Sequence, residues 1–266
     1  MSTRTSPWPA GTPCWVDLAA PDPPAAFAFY AGLLGWQVRP GPLQAGGYRM
    51  ATLRASVVAG IRPASPGTVA RWTTYLAADH LDAALREVVL GGGDVVAGPM
   101  SVLSDGAIAL ARDPCGVPFG LWQRGELVGA ELVNEPGAFC WAELLSPDLA
   151  ESLPFFSQLC GYSYRDRSGD DFSYAMMEVG GTAVAAAAAI GPSRQGEPVL
   201  LPQWLVYFSV DDTDAAAARA ISLGGRVEVP PTETPHGRMS LLHGRAGELF
   251  GVLQADDLPR SPAAPA

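Results

Sequence analysis

Lysine is absent from this chain of 266 residues, so all 17 of its Lys and Arg residues are arginine. Without a lysine amine, the Schiff bases of pyridoxal phosphate enzymes cannot form, which excludes that chemistry. The sequence also has no apolar run near the ~20 residues that a membrane-spanning helix needs. Its formal net charge of −10 opposes binding to phosphate backbones and to anionic lipid surfaces. We therefore expect a soluble protein that binds neither nucleic acid nor a membrane.

Cysteine and histidine are scarce as well. The seven such residues are Cys14, Cys115, Cys140, Cys160, His80, His236 and His243. The cysteines show no CxxC spacing and the histidines show no HxxxH or HxH spacing, and the first residues do not resemble a secretory signal. These observations predict a cytoplasmic protein with free thiols and no cofactor.

An internal duplication is the strongest pattern in the chain. Residues 14–50 align without a gap onto residues 140–176, so that Trp15 matches Trp141. A later stretch also repeats, with Tyr75 matching Tyr207. Repeats of this length indicate two halves that share one fold.

Each half contains two units with the same predicted element order. A short apolar strand is followed by an Asp-containing turn, an Ala-rich helix, a glycine and several short strands, which gives βαβββ four times. We predict a first domain over residues 13–124 and a second over 138–254, joined by a linker. The ends, residues 1–12 and 255–266, are rich in proline and are predicted to be disordered.

The segments WVDLAAPDPPAAFAFYAGLLGW, WAELLSPDLAESLPFFSQLCGY and DPCGVPFGLWQ carry a family resemblance. They resemble the vicinal-oxygen-chelate superfamily, which includes glyoxalase I, bleomycin-resistance proteins and extradiol dioxygenases. The resemblance covers about residues 12–254. It implies an α+β fold in which four βαβββ modules pair into two glyoxalase-like domains with cupped mixed sheets. It does not by itself fix the chemistry.

Metal-using members of this superfamily carry a His, Gln or Glu in the first strand of a module and a Glu at the end of the last strand. The corresponding positions here are Trp15, Thr73, Gly120, Trp141, Leu205 and Gly251. None of these residues is a ligand of the family's kind, since indole does not bind divalent metals and glycine has no side chain. The resemblance therefore implies no metal site, although a metal-dependent glyoxalase or dioxygenase with a site built from distant segments stays an alternative.

Strand alternation places residues two apart on one face, which identifies the side chains that point into each cup. These are Trp15, Asp17, Thr73 and Tyr75 in the first half, and Trp141, Glu143, Leu205 and Tyr207 in the second. A carboxylate beside an indole is desolvated, which raises its pKa and suits it to general acid or base catalysis. A tyrosine could then donate to a carbonyl or enolate oxygen. Core packing and structural hydrogen bonds explain the same pattern.

Three further residues complete the candidate set. His236 lies in a turn at the predicted mouth of the second cup, where a histidine can serve as an acid or base or can simply be solvated. Met176 and Met239 fit an adaptable apolar pocket, or plain core filling. Because it combines Glu143 with His236, the second half is the favoured site.

These residues predict a metal-independent enzyme that performs isomerisation, cyclisation or elimination on an apolar or aromatic oxygenated molecule, such as a secondary metabolite. The alternative is a non-catalytic binding protein like the antibiotic-sequestering members of the superfamily. An interaction module without a small-molecule ligand is a third hypothesis. We expect a monomer or a homodimer.

Overall fold

The computed structural model describes residues 3–40, 46–65, 67–191 and 200–255. The first half contains β1 (Pro13–Ala20), α1 (Pro23–Leu34), β2 (Gln37–Pro40), β3 (Arg49–Leu53), β4 (Ser56–Pro63), β5 (Arg71–Ala77), α2 (Leu81–Leu90), β6 (Asp94–Val102), β7 (Gly106–Arg112) and β8 (Pro118–Arg124). The second half contains β9 (Phe139–Ser146), α3 (Leu149–Cys160), β10 (Ser163–Asp166), β11 (Tyr174–Val179), β12 (Thr182–Ala189), β13 (Gln203–Ser209), α4 (Thr213–Ser222), β14 (Arg226–Thr234), β15 (Gly237–His243) and β16 (Leu249–Gln254).

Each half folds into one eight-stranded mixed sheet. The strand orders are β2-β3-β4-β1-β5-β8-β7-β6 and β10-β11-β12-β9-β13-β16-β15-β14. In both sheets the first strands of the two modules lie side by side and antiparallel, and each pairs in parallel with the last strand of its own module. The predicted α+β fold of paired βαβββ modules is therefore confirmed.

Local sequence signals set the helix ends. Asp22, Asp148 and Asp212 each cap a helix by accepting a hydrogen bond from a backbone N–H of the first turn. Helices α1 and α3 end at Gly35 and Gly161, whose φ angles of 75° and 69° are left-handed and favour glycine. The Asp-containing turns and the glycines that follow α1 and α3 are thus helix caps.

A shared aromatic core joins the two halves. Helix α1 packs against α4, and α2 packs against α3, so each helix contacts the other half. The Trp72 ring lies 5.2 Å from that of Phe208, and the Tyr30 ring lies 5.3 Å from that of Phe250. On the other side, Phe119 lies 5.3 Å from Phe156. Each half therefore buries part of its helix surface against the other half.

A polar chain also crosses this core. The Trp72 indole donates to the Tyr30 hydroxyl at 3.0 Å, and the Tyr30 hydroxyl donates to Glu248 Oε1 at 2.9 Å. Glu248 is only 1% exposed, and burial raises its pKa. Tyr30 therefore satisfies a buried carboxylate of the opposite half.

The predicted linker packs closely against the first domain. Ala130 N–H donates to Cys14 O and Glu131 N–H donates to Val57 O, both at 2.8 Å. Part of the N-terminal segment that the sequence predicts to be disordered is also hydrogen-bonded to the first domain. Gly11 N–H donates to Ala77 O at 2.8 Å. The parts of the predicted ends at residues 1–2 and 256–266 lie outside the described residues.

The four helices of the described residues are short. α1 and α3 have 12 residues, and α2 and α4 have 10. Within the described ranges, no helix combines the length and the apolar character that crossing a membrane requires. The cytoplasmic location stays a prediction from the sequence.

We predict that Tyr30→Phe destabilises the protein by about 1–3 kcal/mol, because it removes the donor to Glu248 and the acceptor of Trp72. Denaturant unfolding measures the change. Tyr164→Phe is the control and should cost less, since this hydroxyl contacts a single half-buried carbonyl. A stability of Tyr30→Phe equal to that of the wild type would contradict the prediction.

Candidate functional site

The second half encloses a cavity of about 910 Å³. Strands β9, β11, β12, β13, β15 and β16 supply its inner wall, and two turns supply its mouth. The lining residues are Trp141, Glu143, Arg167, Phe172, Tyr174, Met176, Ala183, Tyr207, Thr234, Pro235, His236, Met239, Leu253 and Ala255. This volume is in the range of small-molecule sites.

A carboxylate and a phenol form the polar centre of the cavity. The Tyr207 hydroxyl donates to Glu143 Oε2 at 2.8 Å. Burial raises the pKa of Glu143, and the hydrogen bond from Tyr207 opposes this in part. Burial and the nearby Glu143 charge raise the pKa of Tyr207 well above its usual value, so this phenol stays protonated. Glu143 has no ion-pair partner in the described stretches of the chain.

Gly251 makes this arrangement possible. It faces Tyr207 on the neighbouring strand, and a Cβ on Gly251 would lie 2.1 Å from Tyr207 Cδ1. Gly120 has the same relation to Tyr75 in the first half, where a Cβ would lie 2.2 Å from the ring. The two glycines at the expected Glu ligand positions therefore give space to tyrosine rings.

Aromatic and thioether side chains form the walls. The indole of Trp141 lies beside the Tyr174 hydroxyl, and Met176 and Met239 complete the apolar surface. At the mouth, Arg167 and Phe172 belong to the turn between β10 and β11, while His236 belongs to the turn between β14 and β15. The cavity can therefore hold a flat apolar molecule that carries a few polar groups.

The first half has an equivalent carboxylate–phenol pair, but neighbouring side chains fill the space around it. Tyr75 donates to Asp17 Oδ2 at 2.9 Å, Arg62 pairs with Asp17 Oδ1 at 3.3 Å, and Trp15 donates to the Tyr48 hydroxyl at 3.0 Å. Trp15, Asp17 and Tyr75 are at most 2% exposed. Burial raises the pKa of Asp17, while Arg62 lowers it.

The two halves differ at two positions beside the carboxylate, where Gly60 corresponds to Ala186 and Arg62 corresponds to Ala188. Gly60 lies opposite Asp17, and a Cβ there would lie 1.9 Å from the Tyr48 hydroxyl oxygen, so Tyr48 occupies the space beside a bare backbone. The second half has Ala186 opposite Glu143, and its methyl takes up that space. Arg62 is replaced by Ala188, which removes the cation.

The structure brings six of the predicted residues together at the second-half cavity, namely Trp141, Glu143, Met176, Tyr207, His236 and Met239. Leu205 does not line the cavity, because it is 1% exposed in an apolar cluster with Tyr207 and Leu253. Thr73 lies beside Asp17 in the first half. The predicted roles of Trp15, Asp17 and Tyr75 require access that this packing does not provide.

Sequence reasoning missed several lining residues. Tyr174 was available from the repeat, since it matches Tyr48. Arg167 and Phe172 lie in a turn, where no periodicity indicates which side chain faces the cavity. Asp170 and Asp171, in the same turn, are exposed.

The residues at the expected metal-ligand positions do not fit a divalent ion. In the second half these positions hold an indole, an isobutyl group and a glycine, which supply no suitable donor atom. Across the described residues, no group of three or more His, Cys, Asp or Glu side chains could hold a metal.

Comparison with known proteins agrees with this fold. Residues 139–252 match the Glyoxalase/Bleomycin resistance protein/Dioxygenase superfamily, and residues 15–122 match the family described as Glyoxalase-like domain. The chain belongs to this superfamily. The predicted vicinal-oxygen-chelate resemblance is therefore confirmed.

Several relatives match this chain over nearly their whole length. "Putative glyoxylase CFP32" of Mycobacterium tuberculosis is 38% identical over 261 residues, which cover 94% of this chain and 97% of the relative. "Anthracycline biosynthesis protein DnrV" of Streptomyces peucetius is 34% identical over 271 residues, covering 95% of each. DauV of Streptomyces sp. strain C5 has the same description and is 35% identical over 271 residues, again covering 95% of each.

Two solved structures show the same fold at lower identity. The Mn(II)-bound glyoxalase from Novosphingobium aromaticivorans has a TM-score of 0.63 and 20% identity, with 97% of this chain and 88% of that chain covered. The 2,3-dioxygenase LapB from Pseudomonas sp. KL28 has a TM-score of 0.67 and 14% identity, with 98% of both chains covered. At such identities, the likeness concerns the fold alone.

We predict that Glu143→Gln raises the Tm at pH 8. Because the folded-state pKa of Glu143 is raised, the wild type is most stable where Glu143 is protonated in both states and loses stability as the pH rises through the folded-state pKa. The amide does not ionise, so the advantage of Glu143→Gln should shrink as the pH falls toward about 4, near the unfolded pKa. Asp170→Asn, an exposed control, should show no such trend. A constant difference between wild type and Glu143→Gln across this range would refute the pKa argument.

We predict that Gly60→Ala destabilises the protein by about 1–3 kcal/mol, because its Cβ collides with Tyr48. The reverse change at the equivalent position, Ala186→Gly, should cost about 1 kcal/mol for one buried methyl and added backbone freedom. Denaturant unfolding of the double variant Gly60→Ala/Tyr48→Ala tests the contact, since removal of Tyr48 should relieve the collision. Additive costs would show that Tyr48 is not the cause.

Proposed function

We propose that this protein is an enzyme that performs acid–base chemistry, without a metal, on an oxygenated aromatic small molecule. The observation that carries this proposal is the Glu143–Tyr207 pair at a cavity with aromatic walls. Tyr207 is buried and Glu143 is half-buried, and the pair lacks a described cationic partner. A carboxylate with a raised pKa can both accept and return a proton near neutral pH. The reaction class is isomerisation, cyclisation or elimination.

Glu143 acts as the base in the proposed mechanism. Its carboxylate takes a proton from a carbon next to a substrate carbonyl, and the electron pair of that C–H bond moves to make the carbonyl oxygen an enolate. Tyr207 stays protonated and donates to this oxygen, because neutral Glu143 competes less for its O–H. Glu143 then returns the proton to another carbon, which completes an isomerisation.

The relatives support a role in secondary metabolism. DauV and DnrV are described as anthracycline biosynthesis proteins. Polycyclic aromatic ketones of that kind offer flat rings for Trp141 and Tyr174, and they contain carbon acids next to carbonyl groups. The proposed substrate is therefore a polycyclic aromatic ketone.

Sequestration of such a molecule without turnover is the second candidate function. The observation that favours it is the apolar wall formed by Met176, Met239, Leu253 and Phe172, which binds a ligand without any chemical step. This candidate predicts tight binding and leaves Glu143 without a catalytic role.

Proton exchange distinguishes the two candidates. A tetracyclic anthracyclinone with one saturated ring is incubated with the protein in D₂O, and mass spectrometry follows deuterium uptake. We predict that Glu143→Gln slows uptake about 100-fold or more, while Kd stays within about tenfold, because only the base is lost. Asp17→Asn, the matched change in the filled cup, should leave uptake unchanged. Tight binding with no uptake above the uncatalysed rate would favour sequestration.

A further inference from the structure

Arg167 is a cation at the cavity that the proposed chemistry does not use. Among the described lining residues, it alone carries a fixed positive charge. Within the described ranges, no salt bridge or side-chain hydrogen bond joins its guanidinium to another residue. A guanidinium has five donors in a planar fork, which suits it to binding a carboxylate or a similar oxyanion.

Five other arginines in the described part of this acidic protein pair with carboxylates, whereas Arg167 does not. Arg62 pairs with Asp17, Arg165 with Glu178 at 2.6 Å, and Arg238 with Asp214 at 2.6 Å. Acidic residues also lie close to Arg167 in sequence, but they do not line the cavity. Asp166 accepts a hydrogen bond from Ser168 N–H, while Asp170 and Asp171 are exposed. The guanidinium is therefore available to a ligand.

Arg167 and Glu143 lie at different depths of the sheet that forms the cavity. It directly follows β10, the outermost strand, and β9 with Glu143 lies three strands further in. At ~4.8 Å between strands, the backbones of the two residues lie about 14 Å apart along the sheet. Phe172 lines the cavity from the same turn as Arg167. A ligand that contacts both charged residues spans the part of this distance that their side chains do not cover.

We propose that Arg167 determines specificity by binding an oxyanion at the outer end of the ligand, so that the ligands are polycyclic aromatic acids. This assignment rests on the proposed function for the aromatic ligand class. A negative charge on Glu143 disfavours the opposite orientation, since it would bring two anions together. The ligand therefore places its oxyanion at the mouth and its carbon acid at Glu143. A carboxylate and an ionised phenol share the required chemistry.

Binding of matched probes tests this assignment. The probes are anthraquinone-2-carboxylate and its neutral carboxamide, with Kd measured by calorimetry. We expect the wild type to prefer the carboxylate by about fivefold, the value that corresponds to about 1 kcal/mol for a solvent-accessible ion pair. Arg167→Gln should abolish this preference, and added salt should reduce it in the wild type. The control Arg165→Gln should keep it.

A third probe separates the two oxyanion sources. 2-Hydroxyanthraquinone, measured below and above the pKa of its phenol, should bind more tightly when ionised if Arg167 accepts phenolates as well. Equal affinity for the carboxylate and the carboxamide, a preference that survives Arg167→Gln, or no binding of either probe would each overturn the assignment. A carboxylate preference in a protein that catalyses no deuterium uptake would reject the proposed enzyme and leave the role of Arg167 standing.

Discussion

A tyrosine ring packed on a glycine of the neighbouring strand sets the geometry of both cups. Tyr75 lies on Gly120 and Tyr207 lies on Gly251, so close that a single added carbon would collide with the ring. This contact brings each phenol within hydrogen-bond distance of the carboxylate on the adjacent first strand. It also occupies the place where the superfamily's metal-using members carry a Glu. The carboxylate–phenol pair and the loss of a ligand position thus have one steric origin.

From that common arrangement, the two halves diverge through small changes around the carboxylate. In the first half, Gly60 admits the Tyr48 side chain and Arg62 pairs with Asp17. In the second half, Ala186 and Ala188 provide neither the space nor the charge. The same carboxylate–phenol pair is therefore packed into a closed core in one half and lines a cavity in the other.

The sequence was most informative where a repeat or a period constrained it. The duplication predicted the four modules, and the Asp-containing turn and the glycine of the module pattern predicted helix ends. Alternation along β9 and β13 placed Trp141, Glu143 and Tyr207 on one face. Alternation gives the face of a residue but not its depth, which is why Leu205 belongs to the packed cluster. Arg167 and Phe172 lie in a turn without a period. The filling of the first cup depends on an absent methyl group at Gly60, which no hydrophobic pattern records.

The pairing of α1 with α4 and of α2 with α3 has a consequence for the stability of the chain. Each copy covers part of the other's helices, and Tyr30 of one copy is bonded to Glu248 of the other. Removal of either copy would therefore leave aromatic residues of the other facing water. The first half is needed for the stability of the second even though its own cup is filled by side chains.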